Sequence, residues 1–338
     1  MRCPTLRELP PRPEGAIGWP WTAASPSAPR EGPPESSWPR ISIVTPSYNQ
    51  APFLEGTIRS ILLQGYPDLE YLIIDDGSTD HSVEIIQRYA PWLTYWTRQS
   101  NCGLSATINR GLDRCTGEAF NWIASDDQLA PGALVTLGRL WSSERPHLLV
   151  GRGKIIEVET GRVLHDWFPK PPRGPRDFFR AGRVILPQAS TFLALDLVKD
   201  LGRIREDLEY IMDWELYFRA AVRLRGALRV TITPALLSTA LRHPAAKTSQ
   251  GFAAFHREAQ RVLLEALPGL PFVERRHATA CWQRLKTYEL VRGVMADPQT
   301  ALRRLARLSW RWPFVLRSRF FWGAVRQAVT GRVEPTSP

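Results

Sequence analysis

Between Ile41 and Trp141 the chain alternates short apolar runs with stretches whose apolar residues recur at helical spacing. Ile41-Ser42-Ile43-Val44 is β-branched and predicts a strand, followed by the polar turn Thr45-Pro46-Ser47-Tyr48-Asn49. From Pro52 to Gln64, apolar residues at 53, 54, 58, 61 and 62 form a helical stripe closed by Gly65 and Pro67. Leu69 to Ile74 predicts a second strand and ends on Asp75-Asp76-Gly77. Ser78, Thr79 and Asp80 then supply N-cap chemistry for a helix through Tyr89, with Val83, Ile86 and Tyr89 on one face. Leu93 to Arg98 predicts a third strand, Gly103 and Ser105 open a helix to about Arg114, and Gly117 breaks it. The stretch Phe120 to Leu129 is a mostly apolar run that stops at Asp126 and Asp127, and Pro131 and Gly132 forbid its continuation as a strand. This alternation predicts an α/β fold with a mostly parallel, doubly wound sheet and right-handed crossovers. The turns after strands one, two and four then meet at one edge, where ligands of such sheets bind.

Beyond Trp141 the period changes. Gly153 to Trp167 contains Thr160-Gly161 between two β-rich runs and predicts a hairpin. A Pro/Arg-rich loop covers 169–176, Ser190 to Ala194 and Leu228 to Ile232 predict short strands, and Asp213 to Arg225 predicts a helix between them. From Gln250 onward the pattern is helical. Residues 1–40 hold ten of the 29 prolines and follow neither period, which predicts an extended or disordered arm. Trp19 and Trp21 are its exception, and are expected to dock into an apolar groove of this protein or of a partner. The expected organisation is an N-terminal arm over 1–40, an α/β domain over 41–245 and a basic, aromatic, helical C-terminal region over 246–338.

Composition narrows the partners. At 338 residues and 43% hydrophobic content, the chain can bury one large α/β domain and a smaller appendage. A balance of 44 basic to 33 acidic residues, net +11, favours anionic partners: nucleic acid, sugar nucleotides or the anionic face of a membrane. Nucleic acid is disfavoured, because the charge gathers in one terminal segment and no RNA or DNA module is recognisable. The four widely separated cysteines point to a reducing compartment. No secretory signal follows Met1-Arg2-Cys3-Pro4 and no 18-residue apolar run exists, so a cytoplasmic location is expected. From Thr300 to Arg332 there are eight arginines, at 303, 304, 307, 311, 317, 319, 326 and 332, and no acid, interleaved with Trp310, Trp312, Phe314, Phe320, Phe321 and Trp322. That density predicts peripheral binding to an anionic membrane face; the alternative is a basic helical cap whose aromatics pack on the main domain.

The acid-terminated strands carry the candidate chemistry. Asp126 and Asp127 suit a divalent metal, Mg²⁺ or Mn²⁺, beside a phosphate, whereas the plain alternative is a helix cap and a solvated acid. Tyr48 can stack on a nucleobase and an acid of the Asp75-Asp76 pair can accept its imide or amino hydrogen; the alternatives are a surface tyrosine and an Asx-turn. Asp213, at a helix start, can act as a general base or balance the helix dipole. His243 is a further candidate metal or phosphate ligand.

Taken together, Thr45-Pro46-Ser47-Tyr48-Asn49, Asp75-Asp76-Gly77-Ser78-Thr79-Asp80, Asn101-Cys102-Gly103-Leu104-Ser105, Ser125-Asp126-Asp127 and Met212-Asp213-Trp214-Glu215-Leu216 follow one another as in the family 2 glycosyltransferases. The resemblance runs from about Ile41 to His243. It implies a GT-A fold, a nucleotide-sugar donor (UDP-, GDP- or dTDP-linked), a divalent metal and inversion at the anomeric carbon. The acceptor it implies is a hydroxyl of a glycan or lipid-linked glycan in polysaccharide or cell-envelope synthesis; a non-catalytic, sugar-nucleotide-binding scaffold is the alternative. Carried over by position, Tyr48 and Asp76 resemble the nucleoside contacts, with Thr45 and Asp75 beside them. Asp126 and Asp127 resemble the diphosphate and metal acids, and Asp213 resembles the base. The sequence departs from the family pattern at Ala124, where an acid is frequent, at Ile108, where an arginine is frequent, and at Met212, where a glutamate often precedes the base.

Overall fold

The computed structural model describes residues 3–23, 38–179, 185–244, 246, 252–295 and 300–330. The chain divides into two compact units, one of Met1–Gly174 with Gly182–Ser249, the other of Pro175–Ala181 with Gln250–Pro338.

The first unit is built on a nine-stranded sheet. Strands β1 (Ile41–Ser47), β2 (Leu69–Asp75), β3 (Tyr95–Arg98) and β4 (Ala119–Trp122) are parallel in the order β3-β2-β1-β4. All seven residues of β1 and of β2 are buried, because helices cover both faces of a parallel sheet. Ser47 and Asp75, the last residues of β1 and β2, are register partners, so the two strands deliver their polar ends side by side. Between them, α1 (Ala51–Leu62) buries Leu54, Ile58, Ile61 and Leu62. Helix α2 (Ser82–Tyr89) follows β2, and α3 (Leu104–Leu112) approaches β1 closely at Gly111, where a Cβ would lie 2.5 Å from Val44 Cγ1; α4 (Ala133–Glu144) and α5 (Leu195–Asp200) come later in this unit.

Beyond β4 the sheet is mixed. β8 (Thr191–Ala194) runs antiparallel to β4, β6 (Leu148–Glu157) antiparallel to β8, and β9 (Val230–Arg242) parallel to β6. β7 (Val163–Trp167) forms the expected hairpin with β6. The apolar run from Phe120 resolves into two strands: β4 stops at Trp122, the chain turns, and β5 (Asp127–Leu129) pairs antiparallel with β9 at the far edge. Both pieces carry buried residues, so hydrophobicity runs through the break unmarked. β9 extends ten residues past the predicted end at Ile232. Its pairing with β6 shifts between Ile232 and Leu236, and this bulge takes up Pro234, which a regular ladder would not accept.

Described residues of the N-terminal arm pack on α1 and β5. The Trp19 indole N–H donates to the Leu129 carbonyl at 2.8 Å. Arg59, buried within α1, donates to the carbonyls of Pro20 and Pro10 at 3.3 and 3.0 Å and lies under the Trp21 ring. The tryptophans thus settle on this protein's own surface. Residues 24–37 of the arm lie outside the described residues.

The second unit is helical, with α7 (Phe252–Ala266), α8 (Phe272–Met295), α9 (Ala301–Arg311) and α10 (Arg319–Thr330). Val291, Leu305, Val315, Phe321 and Ala324 form its core, with Trp312, Phe314 and Phe320 packed against them. Arg332 lies outside the described residues. Among the described residues, no helix is long and apolar enough to cross a membrane.

Candidate active site

Three strand ends build the first part of the site. Thr45 is buried in β1, its hydroxyl 3.1 Å from that of Tyr71, and Tyr48 follows the strand with 48% of its surface exposed. Asn49 holds the turn: its N–H donates to Ser78 Oγ at 2.9 Å and its Oδ1 accepts from the Thr79 N–H at 2.8 Å. Asp75 uses Oδ2 to accept from the N–H groups of Gly77 and Ser78, and lies 3.6 Å from Arg98 Nε. Its other oxygen, Oδ1, is buried and has no hydrogen-bond partner among the described residues; Ser47 Oγ and Gln99 Oε1, on the neighbouring strand ends, share that condition. A buried polar atom left without a partner costs about 1–3 kcal/mol, so a row of three marks a place shaped for a bound ligand with donors.

Asp76 is differently employed. Oδ1 accepts from Gln99 Nε2 at 2.8 Å and from the Cys102 N–H at 3.0 Å, and Oδ2 from the Gly103 N–H at 3.1 Å. Burial pushes its carboxyl up, but these hydrogen bonds, Gln99 first, outweigh it and hold the group below the usual carboxylate range. Gly77 must be glycine here: its φ is +86°, and a Cβ would lie 3.1 Å from the Gln99 carbonyl. Gly77, Arg98, Gln99, Ser100 and Asn101 line an open depression of about 570 Å³ beside the two acids. Arg98 and Gln99 are contributions of strand three that the sequence reading missed. Their signal was polarity at the end of a short strand, which resembles any strand terminus.

The second part is the acid turn between β4 and β5. Ser125 Oγ donates to the Pro46 carbonyl at 2.5 Å and Thr57 Oγ1 lies 2.7 Å from the carbonyls of Ser125 and Asp127. These bonds tie the turn to the end of β1 and to α1. Asp126 Oδ2 is 3.1 Å from His243 Nε2, and the His243 ring stacks on Phe53 at 4.3 Å. His243 therefore faces an acid of the turn from the end of β9, which runs alongside β5. Burial, and then the adjacent Asp126 carboxylate, push Asp127 well above the usual range. Two neighbouring carboxylates with that mutual repulsion fit a divalent cation. Among the described residues no group of three or more His, Cys, Asp or Glu surrounds a common point. The donor set therefore suits Mg²⁺ or Mn²⁺ held by one or two carboxylates plus phosphate oxygens, and not a closed protein cage.

Asp213 is the second residue of α6 (Met212–Leu224). The loop before α6 is pinned on α3: Asn109 exchanges hydrogen bonds with the backbone of Ile204 at 2.8 and 3.1 Å, and Ser105 Oγ donates to the Leu208 carbonyl at 2.8 Å. Since Asp76 grips Gly103, the cap of α3, Asp213 is referenced to the Asp75-Asp76 end of the sheet through α3. Burial pushes Asp213 up to about 6, against the opposing pull of the Trp214 N–H. At this helix start burial outweighs the backbone hydrogen bonds, which leaves a carboxyl poised near neutrality. Glu215, the other acid of the motif, is bound to Arg219 at 3.0 and 2.7 Å and so serves the helix itself. Asp126, Asp127 and the ends of β1 and β2 are thus directly linked, whereas among the described residues no hydrogen bond or ion pair joins Asp213 to Asp126 or Asp127.

A family model described as glycosyl transferase family 2 matches residues 42–195, which include every candidate except Asp213 and His243. An uncharacterised glycosyltransferase of Rickettsia typhi is 26% identical over 188 residues, 54% of this chain and 58% of that protein, so the chain spans a little over half of that relative's length. Among solved structures, S. aureus TarS 1–349 in complex with UDP-GlcNAc superposes with a TM-score of 0.61 at 16% identity, over 87% of this chain and 92% of that one. The Pyrobaculum calidifontis mannosyltransferase PcManGT, in complex with GDP-Man and Mn²⁺, gives 0.53 at 20% identity, over 90% and 91%. At these identities the structural likenesses establish the α/β GT-A-like fold. The match to the glycosyl transferase family 2 model spans residues 42–195, the stretch that carries strands β1 to β4 and the acid turn, so it is this part of the chain that is similar to that family.

Proposed function

We propose that the protein transfers one sugar from a nucleotide donor to a hydroxyl of a glycan or lipid-linked glycan, by a single displacement with inversion. The observation that carries this reading is the hydrogen bond from Ser125 to the Pro46 carbonyl, which sets the paired acids Asp126 and Asp127 beside the row of partnerless acceptors at the strand ends. A nucleoside donor supplies the N–H groups that the row lacks: Asp75 Oδ1 accepts from the base, Tyr48 covers its face, and Asp76 keeps the 99–103 segment shaped around it. Asp126 and Asp127 would hold Mg²⁺ or Mn²⁺, which when bound neutralises charge on the leaving diphosphate. His243 orients the Asp126 carboxylate. Asp213 takes the proton from the acceptor hydroxyl as that oxygen attacks, and its value near 6 keeps it ionised at neutral pH while leaving it basic enough for the transfer.

The test is incubation of purified protein with UDP-, GDP- and dTDP-sugars and Mn²⁺. The expected result is metal-dependent release of one nucleoside diphosphate. A matching donor at 100 times its Kd should raise stability by about 2.7 kcal/mol. Binding of a donor without release in the presence of glycan acceptors would instead make the chain a sugar-nucleotide-binding component of an assembly.

A further inference from the structure

The second unit turns some of its aromatics inward and others out, and the division is systematic. On α9, Ala301 and Leu305 are buried, and Leu308 and Trp312 pack against the unit's core. The opposite face carries Arg303, Arg307 and Trp310 at i, i+4 and i+7, and Trp310 is 88% exposed. On α10, Phe321 and Ala324 are buried while Trp322 and Val329, on the other face with Arg319, are 53% and 66% exposed. The indole N–H of Trp322 is already committed to the Leu316 carbonyl at 2.8 Å. Exposed Leu302 and Leu316, at 45% and 43%, add aliphatic surface next to these arginines. No acid occurs from 300 to 330, and among the described residues no carboxylate pairs with Arg303, Arg307 or Arg311.

We infer that the outward ridges of α9 and α10 form a docking surface for anionic phospholipid headgroups, with Trp310 and Trp322 at headgroup depth and the arginines on lipid phosphates. Charge complementarity selects an anionic partner. The exposed leucines, valine and tryptophans select lipid over nucleic acid, because aliphatic side chains gain from the acyl boundary and nothing from a phosphodiester backbone. The surface deepens the lipid-linked acceptor reading, yet its test needs no turnover.

The full chain is sedimented with phosphatidylcholine vesicles with and without phosphatidylglycerol, alongside an oligonucleotide-binding measurement. Donor binding is followed in parallel, so failure here is distinguishable from failure of the transferase reading. Binding is expected only with phosphatidylglycerol, and it should weaken with salt. At the roughly fivefold that each surface arginine contributes, Arg303→Gln with Arg307→Gln should weaken it about 25-fold. Trp310→Ala should weaken it severalfold, and both variants should melt like the parent because the replaced side chains are exposed. Equal sedimentation of parent and variants, indifference of the chain to phosphatidylglycerol, or tighter binding to the oligonucleotide through the same residues would each overturn the inference.

Discussion

Replacing Asp213 by Asn separates catalysis from stability at one residue, because burial and function pull on it in opposite directions. Asp213 stands at about 6 in the folded chain against an ordinary value of 3.8. An acid whose folded value is raised binds its proton more readily in the native state, so native stability is greatest below pH 3.8 and falls as pH rises to about 6. At ~1.4 kcal/mol per pH unit, that interval amounts to about 3 kcal/mol of destabilisation above pH 6. Asp213→Asn should therefore melt higher than the parent at pH 8, by up to about 3 kcal/mol, and should show little difference near pH 4. Transfer should fall by about 10²–10⁴-fold with donor affinity nearly unchanged, since the amide keeps the shape and loses the base. The parent's transfer rate should decline as pH drops through about 6. Thermal melts at the two pH values, donor titration and initial rates suffice. If the dipole at the start of α6 governed this residue, the variant would instead lose a few tenths to ~1 kcal/mol at pH 8 and keep its turnover; that pattern would refute both the base assignment and the burial argument.

Three further variants probe the frame of the site. Asp127→Asn should abolish Mn²⁺-dependent nucleotide binding without lowering the melting temperature, since it removes one of two repelling carboxylates; retained Mn²⁺ dependence in calorimetry would remove Asp127 from the metal role. Trp19→Phe leaves the buried Leu129 carbonyl without its donor and should cost about 1–3 kcal/mol in urea unfolding, with weaker Mn²⁺-dependent nucleotide binding because Leu129 lies two residues past Asp127 on β5; unchanged stability would make the arm dispensable. Gly111→Ala places a methyl against Val44 and should cost about 1–3 kcal/mol through displacement of α3, a loss that chemical denaturation would register directly.

Hydrophobic patterning by itself determined the elements of the parallel half. Strands such as β1 and β2 are buried on both faces, so they read as continuous apolar runs, and a parallel sheet places their polar terminations at one edge. The acids at 75, 76, 126 and 127 were legible for that reason, whereas Asp213 was legible as an acid at a predicted helix start and through the motif spacings that point to the family. Local periodicity reports burial and says nothing about which element does the burying. It could not show that the Phe120 run breaks into β4 and β5, or that β9 continues past Pro234 through a bulge, because both depend on strands paired from distant parts of the chain. Nor could it show that Glu215, the other acid of the motif, is held by Arg219 one turn further along α6, or assign Trp19 to a carbonyl 110 positions away. The arginine and tryptophan content of the last segment was visible in composition, whereas tertiary packing alone decided that Trp312 turns to the core and Trp310 to solvent. The partnerless oxygens at the ends of β1, β2 and β3 are likewise a product of the assembled sheet, since a strand end loses its water only when its neighbours close around it.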